Sequence, residues 1–118
     1  MSKKEFKTNP KPAFYACCLE TLRRTAKDYG YALAVHGSLA SDLDLIAVQW
    51  SEYCEEPKYL VRALLEAISG TWWDNMGDVE KLTMPERRYK TQLHYTLPLS
   101  GEYYVDLTVI DPDVKITD

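Results

Sequence analysis

From Tyr31 to Trp50 the chain reads YALAVHGSLASDLDLIAVQW, two apolar runs joined by a handful of residues around Gly37-Ser38. A link this short leaves no room for a crossover. The two runs, Tyr31–Val35 and Asp42–Trp50, are therefore expected as neighbouring antiparallel strands. A strand repeats every two residues, which puts Asp42 and Asp44 on one face of the second run and Leu43, Leu45 and Ala47 on the other. One face of the sheet thus needs an apolar cover, while the other holds two carboxylates on a stiff backbone.

The cover comes from two amphipathic segments. From Ala13 to Tyr29, Phe14, Cys18, Leu22, Ala26 and Tyr29 recur at helical spacing, opposite Arg23, Arg24, Lys27 and Asp28. Asn9 suits a cap, Pro12 the first turn and Gly30 the C-terminal stop. A second helix is expected from Pro57, with Leu60, Ala63, Leu64, Ala67 and Ile68 as one stripe and Gly70 as its end. Residues 71–87 show no clear period and read as a long loop with at most a short helical turn. Tyr89–Leu97 alternates, as does Tyr103–Ile110, and Ser100-Gly101 between them makes a hairpin turn. The expected fold is α+β: a small mixed, mainly antiparallel sheet of about four strands with two helices on one face, in the order α-β-β-α-β-β.

At 118 residues the chain is long enough for one core, so residues 12–118 are expected as a single domain behind a flexible arm over residues 1–11. The net charge of −4 argues against non-specific binding to a nucleic-acid backbone, which depends on surplus cations. No apolar run approaches a membrane span, and MSKKEFKTNPKP has no apolar segment after it as a secretory signal would. Cys17, Cys18 and Cys54 lack any metal-ligand spacing and read as small apolar residues in a reducing cytosol, so a cytoplasmic location is expected.

With the helices on one side, the opposite sheet face collects Asp42, Asp44, Lys90, Gln92, His94, Asp106 and Thr108. Three carboxylates on one face repel each other, and a hard divalent cation, Mg²⁺ or Mn²⁺, is their natural partner. Each signal alone is weak: acidic residues alternate on many exposed strands, and Gly-Ser is an ordinary turn. For His36 the functional reading is phosphate contact and the bland one a hydrogen-bonded turn residue. For His94 it is a base or an orienting partner of Asp106, against a plain surface histidine. Trp72-Trp73 either stack on a ligand or cover the core edge, and Arg87-Arg88 either clamp phosphate or are solvated.

Taken in order, Gly37-Ser38 after an apolar strand, Asp42-Leu43-Asp44-Leu45 on the next, and Val105-Asp106-Leu107 on a late strand resemble the nucleotidyltransferase superfamily of the DNA polymerase beta type. The pattern looks most like its small single-domain bacterial and phage members. The resemblance spans roughly residues 13–110 and implies Mg²⁺-dependent transfer of a nucleoside monophosphate from an NTP to an acceptor hydroxyl. It implies Asp42, Asp44 and Asp106 as metal ligands and catalytic residues, with Asp106 also activating the acceptor. Gly37 and Ser38 would contact the β- and γ-phosphates. The family usually carries a longer turn, often with an arginine, where this chain has only Leu39, Ala40 and Ser41. Arg88 and Lys90, beside Arg87, are the candidates to supply that charge, and His36 and His94 are accessory candidates.

Two other functions compete. One is a catalytically inactive nucleotidyltransferase-like binding module, a phage accessory protein gripping a protein partner through Trp72, Trp73 and Met76. The other, ranked lower, is a metal-dependent nuclease. The acceptor must come from a partner, from a homodimer, or from the loop with its tryptophans, since the chain has no room for a separate acceptor domain.

Overall fold

The computed structural model describes residues 11–37, 42–99 and 103–111. Ser38, the short turn over residues 39–41, the Ser100-Gly101 turn and the arm before Lys11 lie outside the described residues.

Helix α1 runs Lys11–Asp28, so the first helix starts one residue inside the expected arm. Its buried side chains Tyr15, Leu22 and Ala26, with half-buried Phe14, Cys18 and Leu19, make one stripe. Gly30 ends the segment at φ +89°, its carbonyl accepting from Trp50 N at 3.0 Å. A Cβ there would overlap the backbone of Tyr53 and Cys54, so glycine is required by both conformation and space. Strands β1 (Tyr31–His36) and β2 (Leu43–Gln49) follow and pair antiparallel, as the short link demands.

Helix α2 is Pro57–Ser69, with Pro57 at its start and Gly70 closing it at φ +74°. Leu60, Val61, Leu64 and Leu65 are fully buried, one apolar stripe aimed at the sheet. Then the fold departs from expectation. Residues expected as loop contain helix α3 (Met76–Thr83) and strand β3 (Glu86–Arg88). Asn75 caps α3 by accepting from Gly77 N at 2.7 Å, and Val79 and Thr83 are buried one turn apart. Strands β4 (Gln92–Pro98) and β5 (Tyr104–Ile110) complete the chain.

Among the described residues the sheet has five strands in the order β1-β2-β5-β4-β3, and three helices accompany it. This corrects the expected four strands, two helices and α-β-β-α-β-β order; the α+β class and the mixed, mainly antiparallel character stand. The physical reason is length. Helix α3 spans only eight residues, and β3 is three exposed charged residues that bury no face, so neither leaves a periodic apolar trace. The core lies between the sheet and the helices: Leu43, Leu45, Ala47, Leu97, Val105, Leu107 and Val109 from the strands meet Tyr15, Leu22, Leu60, Leu64 and Val79. No helix among the described residues is long and apolar enough to cross a membrane.

Leu45 is fully buried on a central strand and Val48, on the same strand, is 44% exposed. Leu45→Ala is expected to cost about 2–5 kcal/mol of unfolding free energy in a urea titration. Val48→Ala should stay within roughly 0.5–1 kcal/mol in the same titration.

Candidate metal and nucleotide site

The site begins with the one parallel pairing among the described strands. Strands β2 and β5 run in the same direction, with Asp44 opposite Asp106, and neighbouring strands in a ladder lie about 4.8 Å apart. Register partners share a face, so these carboxylates project side by side, away from the helices. Asp42, two residues before Asp44, is close enough to Asp106 for its charge to raise the Asp106 pKa. Extending the row, His36 pairs with Asp44 and Thr96 with Asp106, so the four strands present His36, Asp44, Asp106 and Thr96 in line.

Gly37 follows β1 at φ +83°. A Cβ built on it would lie 2.5 Å from Asp44 Oδ2. The strand end therefore needs glycine twice, for its left-handed backbone and for the carboxylate that lies against it. Asp44 and Gly37 are thus in contact in space as well as near in sequence.

Burial is the main cause that raises the pKa of Asp106 above its ordinary value, and the charge of Asp42 adds to it. The Asp42 hydrogen bond and the charge of Asp44 act in the same direction, and His94 opposes them. His94 Nε2 is 3.5 Å from Asp106 Oδ1, and the His94 side chain is only 10% exposed. Nearby, the hydroxyl of buried Tyr15 accepts from Tyr104 N at 3.2 Å, tying α1 to the start of β5. Burial raises the Tyr15 pKa, and the charges of Asp42 and Asp106 add to that.

The expected phosphate cations are elsewhere. Arg88 pairs with Gln92, which pairs with Ile110, four residues along β4 from the Thr96–Asp106 row, or about 13 Å. Lys90 is in the β3–β4 turn beyond it. Arg87 is bonded to Asp111 at 2.9 Å, and Arg88 lies 3.7 Å from Glu86. Asp42, Asp44, Asp106, Gly37, His36 and His94 are brought together; Arg88 and Lys90 are not.

Sequence reasoning also missed the other half of this face. Continuing the alternation past Asp44 places Ile46 and Val48 there, and the register adds Ala34 and Ile110. The face is acidic at one end and apolar beside it. Thr96, in phase with His94, was legible from the same period of two; Tyr15 was not, because a helical tyrosine reads as core.

Among the described residues no three His, Cys, Asp or Glu side chains converge closely enough to hold a metal ion. Asp42 faces Asp106 while Asp44 lies against Gly37, the spread expected of like charges that share a surface. The donor set still fits a hard divalent cation. It is all carboxylate oxygen, on adjacent strands, and Mg²⁺ takes only one or two protein carboxylates and fills its shell with water and phosphate. Comparison with protein-family models, with curated proteins and with solved structures finds no match for this chain.

Two outcomes follow from this geometry. A raised folded-state pKa means the folded chain binds more protons than the unfolded one, so stability falls as pH rises from the ordinary aspartate value through the folded one. Without divalent ions, Asp106→Asn should thus raise the thermal midpoint by a few degrees at neutral pH, and the gain should vanish below the ordinary value of 3.8. Gly37→Ala should cost about 1–2 kcal/mol in urea from its backbone conformation and displace the Asp44 carboxylate. Gly70→Ala, with open space around it, should show the backbone cost alone when both are scored for Mn²⁺ binding by calorimetry.

Proposed function

We propose that this protein is a nucleotidyltransferase whose Asp42, Asp44 and Asp106 hold Mg²⁺ or Mn²⁺ and which moves a nucleoside monophosphate from an NTP to an acceptor hydroxyl. The observation that carries this reading is the parallel register of Asp44 with Asp106, with Asp42 beside Asp106 and Gly37 against Asp44. Three carboxylates on one sheet face carry a cost that a divalent ion would relieve. A bound divalent ion would neutralise the triphosphate and polarise the transferred phosphoryl group.

The chain's own residues do the rest. Gly37 turns the chain and lets the Asp44 carboxylate lie against it, with Ser38 next in sequence as a hydroxyl donor to a phosphate. Asp106 takes the acceptor's proton as the acceptor oxygen bonds to the α-phosphorus and pyrophosphate leaves in line. His94, held beside Asp106, and His36, at the end of the row, are the nearest imidazoles to that chemistry. The apolar strip of Ile46, Val48 and Ile110 offers a platform for a base or an acceptor.

A second reading is favoured by one observation: Arg88 and Lys90 stand at the far end of the sheet from the carboxylates. A site with few cations holds a triphosphate weakly, and a nucleotidyltransferase-like binding module would need none. Its expected anchors are partly engaged already. Trp73 and Met76 pack on the core, and Trp72 lies under the Arg62 guanidinium at 4.2 Å.

Thermal unfolding with Mg²⁺ or Mn²⁺ and each NTP separates the two. A ligand at about 100 times its dissociation constant adds roughly 2.7 kcal/mol, which moves the midpoint of a domain this size by about 10 °C. Transfer predicts a shift that needs metal plus nucleotide and is lost in Asp44→Asn. The binding-module reading predicts no shift with any nucleotide, in wild type or variant.

A further inference from the structure

The two edges of the sheet are protected very differently. Edge strand β3 is three residues, Glu86-Arg87-Arg88, all charged and exposed, the usual guard against further strand pairing. Edge strand β1 is six residues, YALAVH, with neither proline nor lysine nor carboxylate. The Trp50 N to Gly30 O bond marks that pair as hydrogen-bonded. Alternation then turns the backbone of Ala32 and Ala34 to β2 and that of Leu33 and Val35 outward. The side chains of Ala32 and Ala34 are exposed and too small to block an incoming chain.

A groove of about 390 Å³ runs beside this edge, lined by Tyr31, Leu33, Trp50, Arg23 and Lys27. Trp50 is 54% exposed, and Lys27 Nζ lies 5.7 Å from its ring. Arg23 and Lys27 are one turn apart on α1, and neither enters an ion pair among the described residues, whereas their neighbour Arg24 is bonded to Glu20 at 2.7 Å. In a chain of net charge −4, two cations over an apolar groove beside a bare strand edge form a local surface of opposite sign to the whole.

We propose that β1 receives an extended acidic peptide segment of a partner protein as a sixth strand. Its backbone pairs with Leu33 and Val35, an apolar side chain enters the groove against Trp50, and its carboxylates meet Arg23 and Lys27. Charge selects this occupant over a second copy of the chain. Pairing β1 with its own copy would set groove beside groove and bring four cations together.

The test uses the full chain in EDTA without nucleotide, so its outcome is independent of the carboxylate site. Calorimetry is run with the capped peptide Thr-Glu-Thr-Val-Thr-Glu, whose glutamates and valine share one strand face, its lysine counterpart, and an acidic version with alternate backbone nitrogens methylated. The acidic peptide should bind saturably, and the lysine and methylated forms at least about tenfold more weakly. The exposed double variant Arg23→Glu/Lys27→Glu should reverse the preference, which also shows that it is folded. Equal binding of both charges, no binding by the acidic peptide, or undiminished binding of the methylated form overturns the proposal. So does a dimer in sedimentation that the double variant strengthens or abolishes.

Discussion

Strands β2 and β5 run side by side in the same direction, and that pairing requires the intervening chain to cross over the sheet before it can return. Helices α2 and α3 and strands β3 and β4 occupy the crossover, and the apolar faces of the two helices cover one side of the sheet. Because the helices all pack on that side, the other is left for polar groups. Because the pairing is parallel, Asp44 and Asp106, each near the start of its strand, arrive in the same row. An antiparallel pairing of the same two strands would have separated them along the sheet. The site is in this sense a product of strand direction, with residue type supplying the charge.

The carboxylate face is built against its own electrostatics. Burial and like charge raise the proton affinity of Asp106, and His94 is the neighbour that opposes them. The arginines that would neutralise such a cluster are spent at the other end of the sheet on Asp111 and Glu86. A protein that needed only a stable sheet would do better with threonine or asparagine at these positions. Retaining three carboxylates there is intelligible if something cationic joins them.

How much of this the sequence disclosed follows from how far each signal extends along the chain. Helices α1 and α2 each repeat their apolar stripe over several turns and were legible, as were the β1–β2 hairpin and the faces of β2, β4 and β5. Helix α3 has only two turns, and its clearest mark, Asn75 ahead of Gly77 and Asp78, is a capping signal rather than a period. Strand β3 carries no apolar residue at all. In the site, Asp42, Asp44, Asp106 and Gly37 were found from alternation and resemblance, because each is fixed by its own strand. The placement of Arg88 and Lys90 depends on the register between β3, β4 and β5, which no local pattern encodes. The groove beside β1 combines residues from α1, β1 and the end of β2, and likewise has no single-segment trace.

Asp44 and Asp106 are register partners yet 62 residues apart in sequence. Their meeting is among the most non-local events in the fold, since the whole crossover must form before the two strands can zip together. The β1–β2 pairing is local and places Asp44, whereas Asp106 comes from near the other end of the chain. A divalent ion would therefore find its full complement of oxygens only on chains that have finished folding. Bound there, it would clasp two strands from distant parts of the chain and so oppose their separation.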